Sequence, residues 1–333
     1  SFGSGMNGRV TALVEFEGDL IAGGDFQQAG GVGASRVARW DGSAWQALGD
    51  GLNNTVYALS VYDGQLYAGG KFTASGGVSV PYLARWNGTS WETVGAGVDH
   101  WVYALHGSAD GLIAGGFFST AGGETVNYIA SWDGAAWSGL AGGTDGTVKT
   151  ILAHGDDLIV GGFFQNAGGH EIAFLASYAD GEWSPLGAGV NESVWALSEY
   201  DGGLAVGGSF TTAGEIGASF IAAWDGQTWS AFGSGQGLNG SVAALTEYNG
   251  LLIAGGGFRM AGGTPCDFIA AWNGSAWEPL GEGMNNEVYA LAVYEGDLIA
   301  AGLFTHTGNL EVNHIARWDG EAWHPFGDGF GGC

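Results

Sequence analysis

The sequence predicts an all-β protein, a seven-bladed β-propeller with four antiparallel strands per blade and one 46-residue repeat per blade. Three observations lead there. A valine that opens an apolar run recurs as Val10, Val56, Val102, Val148, Val194, Val242 and Val288, always 46 residues apart except for one interval of 48. Every copy holds four short apolar runs divided by turn signals, with no helical period. The first and last copies are ordinary ones, without the polar caps that an open solenoid requires, which favours a closed ring.

Residues 56–95 show the unit most clearly. Residues 56–62 form the first run and Asp63-Gly64 the turn after it. Residues 66–72 form the second run, interrupted by Gly69-Gly70. A Gly, Ser and Thr-rich loop leads to a third run at 82–86, and Asn87-Gly88 reads as a two-residue hairpin of the type I′ kind before the fourth run at 91–94. Such a sheet cannot bury both faces alone, so neighbouring copies must stack on it. The chain therefore reads as a single domain, 1–333, with blades at 3–48, 50–95, 96–141, 142–187, 188–233, 234–281 and 282–327 and a tail at 328–333. The 48-residue interval reflects a two-residue insertion near Gly235–Gly237.

Three aromatic rows run through the copies. One is Trp40, Trp86, Trp132, Tyr178, Trp224, Trp272 and Trp318; the next is Trp45, Trp91, Trp137, Trp183, Trp229, Trp277 and Trp323; the third is Phe26, Phe72, Phe118, Phe164, Phe210, Phe258 and Phe304. Each such ring buries about 150–250 Å², so the rows read as the packing between blades. The paired glycines of the second run, Gly23-Gly24 through Gly255-Gly256 and Ala301-Gly302 in the last copy, leave room for an aromatic of the adjacent sheet. The pattern GGxF…AGG…IARWDGxxW…LG resembles the kelch repeat, in the variety found in secreted bacterial and fungal cell-surface propellers. The resemblance spans essentially the whole chain and implies a scaffold or binding role with no particular ligand.

Charge narrows the function classes. Eight Lys and Arg stand against 34 Asp and Glu, a formal charge of −26, which argues against nucleic acid and against anionic membrane surfaces. No apolar run approaches a membrane span, and the expected location is extracellular, secreted or at the cell surface. Two cysteines, Cys266 and Cys333, fall on one face of the ring and are expected to form a disulfide that ties down the tail. Residues 1–8 and 325–332 are copies of the same connector, and the ring has room for one, so one end is displaced, either onto the surface or onto a neighbouring molecule.

Chemistry is harder to find. The connectors place Asn7, Asn53, Asp99, Asp145, Asn191, Asn239 and Asn285 around one rim, where they either shape tight turns or gather oxygens for Ca²⁺ or sugar hydroxyls. Use in all seven copies favours the turn. No other cofactor is expected. Arg39, Arg85 and Arg317 share one outer position and cannot converge on a carboxylate as sialidase arginines do; stacking on the nearby Trp rows is their expected use. The histidines lack metal spacing, and no nucleophile elbow or phosphate loop occurs. A non-enzymatic scaffold with a protein- or matrix-binding face is the primary expectation. A carbohydrate-binding propeller and a hydrolase with an unrecognised site are the alternatives. The candidate ligand-binding residues are those where one copy departs from the rest near the channel mouth: Trp101, Trp195, Tyr57, Tyr103 and Tyr289, with Asp99, Asn191 and Asn285.

Overall fold

Apolar runs that alternate with glycine-bearing turns fold into seven four-stranded antiparallel sheets arranged as blades around one axis. A computed structural model describes residues 5–233 and 237–326. In blade 1 the strands are Val10–Phe16, Asp19–Gly24, Val37–Trp40 and Trp45–Ala47, paired in chain order from the axis outward. The other blades repeat this order. First strands of successive blades adjoin one another, and Val10–Phe16 packs against Val288–Tyr294 to close the circle. The sheets of blades 1 and 7 are each built from consecutive residues, so no strand is lent across the join.

The connector between blades 7 and 1 is filled from the N-terminal side. Met6 N–H donates to Asn313 O at 2.8 Å, and Gly30 N–H donates to Gly5 O at 2.7 Å. Tyr294 Oη donates to Gly18 O at 3.0 Å across the same join. The C-terminal copy of the connector from residue 327 onward, including Cys333, lies outside the described residues, as does the expected Cys266–Cys333 disulfide. Among the described residues there is no disulfide, and Cys266 is buried.

The glycine of the second strand has a different neighbour from the one the sequence suggests. It faces the opening valine of the next blade, not an aromatic ring. A Cβ on Gly69 would lie 2.5 Å from Val102 Cγ1, and one on Gly23 would lie 2.7 Å from Val56 Cγ1. The aromatic rows act further out. In each copy the two outer rings lean on each other, as Trp86 and Trp91 do with centroids 5.4 Å apart. The second indole then reaches the preceding blade: Trp91 Nε1–H donates to Leu48 O at 3.2 Å, Trp137 to Val94 O at 3.1 Å, and Trp183 to Leu140 O at 3.0 Å. Trp229 and Trp323 repeat the bond. Trp45 and Trp277 do not, and their buried indole N–H groups have no partner. At those two joins the acceptor position carries Phe326 or Phe232, whose ring packs edge-on against Trp40 or Trp272.

Three expectations are corrected here. The turn after the third strand is a four-residue loop in six blades, since Trp40 pairs with Trp45 and Asp41 N–H bonds Ala44 O. Only its glycine has positive φ, and the Asp or Asn side chain accepts two backbone N–H groups, as Asp41 Oδ1 does from Ser43 and Ala44. Blade 4 alone uses the two-residue turn, with Asp180 at φ 51° and Gly181 at φ 82° between Ala179 and Glu182. Arg39 and Arg85 pair with carboxylates, not with indoles, Arg39 with Asp19 and Arg85 with Glu92 at 2.5 Å, and Arg317 pairs with Asp297 at 2.5 Å. The long second-to-third-strand loop also contains a small hairpin, Gln28–Ala29 with Val32–Gly33 in blade 1.

Two stability measurements follow from this packing. Gly69→Ala drives a methyl into a β-branched neighbour and is expected to cost about 1–3 kcal/mol in urea unfolding. Trp183→Phe and Trp277→Phe remove similar ring volume, but only the first leaves a carbonyl without its donor. Trp183→Phe is therefore expected to be the more destabilising by about 1–2 kcal/mol.

Candidate functional site

A β-bulge near the start of each first strand sets the channel mouth. The register skips one residue between Val10 and Ala12, and does the same in every blade, leaving Thr11, Tyr57, Tyr103, Lys149, Trp195, Ala243 and Tyr289 outside the ladder. A bulged residue owes nothing to strand pairing, so its side chain is free to differ between copies.

On blades 2 to 5 these residues and their neighbours form one aromatic face. Tyr57 and Tyr103 meet with centroids 4.9 Å apart, and Trp101 meets Tyr103 edge-on at 6.3 Å. His100 bridges Trp101 at 4.7 Å and Phe117 at 5.1 Å, and stacks on Tyr82 at 5.7 Å. Two cations complete it. Lys71 Nζ lies 4.0 Å from the centre of the Trp101 ring, and Lys149 Nζ lies 3.3 Å from that of Tyr103. Beyond Lys149, a cavity of about 500 Å³ is lined by Lys149, Phe163, Ser193 and Trp195. Large apolar rings here stand in solvent: Phe163 is 61% exposed, Phe117 47% and Trp195 39%. Exposed aromatics gathered on one face mark a binding surface more often than chance placement does.

Tyr82, Tyr128 and Phe174, which flank this face, adopt φ between 64° and 69°. Equivalent positions in the other blades, Arg36, Phe220, Phe268 and His314, have φ between 67° and 73°. The N–H of each donates to the buried phenylalanine of its blade, as Tyr82 N–H does to Phe72 O at 2.8 Å. Bulky residues rarely hold this conformation, and the surrounding hydrogen bonds compel it.

The remaining candidates fall elsewhere. Tyr289 sits on the opposite side of the mouth, where its hydroxyl donates to Glu287 and Arg9 lies 5.8 Å from its ring. Burial first, and the Glu287 carboxylate second, push the Tyr289 hydroxyl up to about 12. Asp99, Asn191 and Asn285 each pin the long loop of their own blade through two backbone N–H groups. Asp99 Oδ1 accepts from Ser119 and Thr120, Asn191 Oδ1 from Thr211 and Thr212, and Asn285 Oδ1 from Thr305 and His306. Asn7, Asn53, Asp145 and Asn239 make the same pair of bonds. This rim of oxygens is thus spent on loop backbone, and among the described residues no group of three or more His, Cys, Asp or Glu side chains gathers as a metal site. The sequence reading missed Lys71, Phe117 and Phe163. All three occupy the position after the paired glycines, which is Asp25, Ser209, Gly257 and Leu303 in the other copies, so variability there was the available signal.

Lys149 is perturbed. Burial, and then the charge of Lys71, lower its amine to about 8. Between about 8 and 10.5 the unfolded chain holds a proton that the folded one has lost, so stability gains from this group as pH rises through that window. Urea midpoints measured from about pH 8 to about pH 10 are expected to rise less steeply in Lys149→Met than in the native chain.

Similarity to known proteins places the fold. A family model described as a β-propeller domain of unknown function (DUF5122) matches residues 63–88. The chain is a seven-bladed β-propeller. No curated protein matches it in sequence. A solved structure described as the extracellular domain of a hybrid two component system from B. thetaiotaomicron is 14% identical, with a TM-score of 0.61 over 89% of this chain and 37% of that one. The GH74 xyloglucanase from Xanthomonas campestris is 17% identical, with a TM-score of 0.61 over 96% of this chain and 53% of its own. The WD40 β-propeller domain of Doa1 is 12% identical, with a TM-score of 0.57 over 90% of this chain and 92% of that one. The chain thus spans between about a third and about half the length of the first and second of these. No helix among the described residues is long and apolar enough to cross a membrane.

Proposed function

We propose that this propeller is a non-catalytic extracellular binding module that holds a matrix ligand on the aromatic side of its channel mouth. One observation carries the reading: Tyr57, Trp101, Tyr103 and Trp195, drawn from the connectors and bulges of blades 2, 3 and 5, share one partly exposed face. A repeat protein gains nothing in stability from leaving Trp195 and Phe163 in water, whereas a ligand gains stacking area from them.

The carboxylates of the rim support a binding role over a catalytic one. Asp99 and Asp145 accept backbone N–H bonds, Glu192 accepts from Ser193 N–H, and Glu287 accepts from Tyr289. Each is engaged in holding the chain. The extracellular setting rests on the strongly acidic composition and on the kelch-like pattern of secreted propellers, and the extracellular neighbour of similar fold agrees with it.

Within that role a saccharide is favoured over a protein surface. Exposed ring faces at the cavity, Phe163 and Trp195, with the Ser193 hydroxyl beside them, suit sugar faces and their hydroxyls. Titration of tryptophan fluorescence against a broad panel of glycans and matrix proteins tests this. A saccharide is expected to quench the signal, and Trp195→Ala to weaken binding about tenfold or more. Absence of binding across the panel would set the reading aside, and turnover of generic glycoside or ester substrates would replace it with a hydrolase.

A further inference from the structure

We propose that Lys71 and Lys149 form an anion subsite in the channel-mouth face, and that the ligand is a saccharide whose single carboxylate lies between them. This rests on the reading of that face as a saccharide-binding surface.

The sequence contains two lysines, and they come together. Lys71 follows the paired glycines of blade 2, and Lys149 is the bulge residue of blade 4. Folding lays both on the same run of touching rings, with Lys71 over Trp101 and Lys149 over Tyr103. A chain with 34 carboxylates has abundant partners for an ammonium group. Yet among the described residues neither lysine has an ion pair or a hydrogen-bond acceptor, and ring faces are their only polar compensation. The charge that acts on Lys149 is that of Lys71. Two like charges held together, half-buried and without an acid, are an arrangement that a bound carboxylate relieves on both sides. Each ammonium has three donors, and a ring face satisfies none of them geometrically.

The size and polarity of the ligand follow from the surroundings. The cavity beside Lys149 is about 500 Å³, and its walls are the exposed faces of Phe163 and Trp195 with Ser193 between. That volume accommodates one or two sugar rings. The net charge of −26 repels a long polyanion over about 10 Å at ordinary salt. A ligand with one carboxylate escapes that repulsion and still reaches both amines.

The test uses the full chain with three probes: a glucuronic-acid-terminated disaccharide, its glucose-terminated counterpart, and a short peptide with an acidic side chain. Calorimetry and tryptophan fluorescence give the affinities. The acid disaccharide is expected to bind about tenfold or more tightly than the neutral one, with the advantage shrinking in high salt. Lys71→Met and Lys149→Met, which keep the apolar stem, are expected to weaken the acid disaccharide and bring the two disaccharides within about threefold of each other. Circular dichroism of both variants checks that the blades are intact. Equal affinity for acid and neutral disaccharides, both lost in Trp195→Ala, would overturn the anion subsite and leave the binding face standing. Binding of the peptide alone would overturn the saccharide. Failure of both disaccharides to bind would overturn the subsite together with the reading on which it rests.

Discussion

A valine pressed against a glycine is the contact on which this ring depends. The first strand of each blade presents its opening valine to the second strand of the blade before it, where the absent Cβ allows the two backbones to close up. Val56 lies on Gly23, Val102 on Gly69 and Val194 on Gly161, and the same pair recurs until the last join. There Ala301 stands in the glycine's place, in the buried cluster that also contains Val10. Because seven similar wedges meet in this way, closure needs no strand exchanged between the ends. It is completed by the N-terminal connector, Tyr294 and Phe326. Toward the periphery the indole N–H bonds tie each outer strand to its predecessor, and they lapse only where phenylalanine replaces the aliphatic residue at the acceptor.

These duties occupy fixed positions in every copy. The valine, the glycines, the outer indoles and the loop-pinning Asn or Asp are all committed to the scaffold. The side chains of the bulge residue and of the residue after the paired glycines differ from copy to copy, although the backbone of the latter still bonds the start of the first strand, as Lys71 N–H does to Thr55 O at 2.9 Å. Variation therefore collects at the channel mouth, and it collects unevenly. Blades 2 to 5 supply rings and lysines there, while blade 6 supplies Ala243 and Gly257. Regularity of the frame is what allows one face to be asymmetric without loss of the fold.

Much of this was legible in the sequence. The period of the valines, the two indole rows and the connector asparagines announced the blades and their count, because each of these residues repeats for a structural reason. Tyr57, Trp101, Tyr103 and Trp195 were legible as exceptions to the repeat. Other features were not. The neighbour of the paired glycines is not legible, since a sequence shows that room exists without showing that a valine, and not a ring, enters it. The Asp-Gly turns looked like two-residue hairpins, but the paired tryptophans set a wider loop in six blades, and only the one-residue offset at Asp180 restores the shorter turn. The carboxylate partners of the outer arginines are only partly legible: Glu92 lies directly across the strand from Arg85, but Asp19 and Asp297 are not opposite Arg39 and Arg317 in the ladder.

The sequence by itself determined the all-β class, the sevenfold repeat and the positions that must be identical, because periodic chemistry survives without coordinates. The tertiary structure alone decided that Lys71 and Lys149, two blades apart, share one aromatic stack, and that the rim asparagines bond loop backbone. Contacts between blades depend on how far each sheet is turned about the axis. That angle arises from packing many side chains at once, and no single stretch of the chain encodes it.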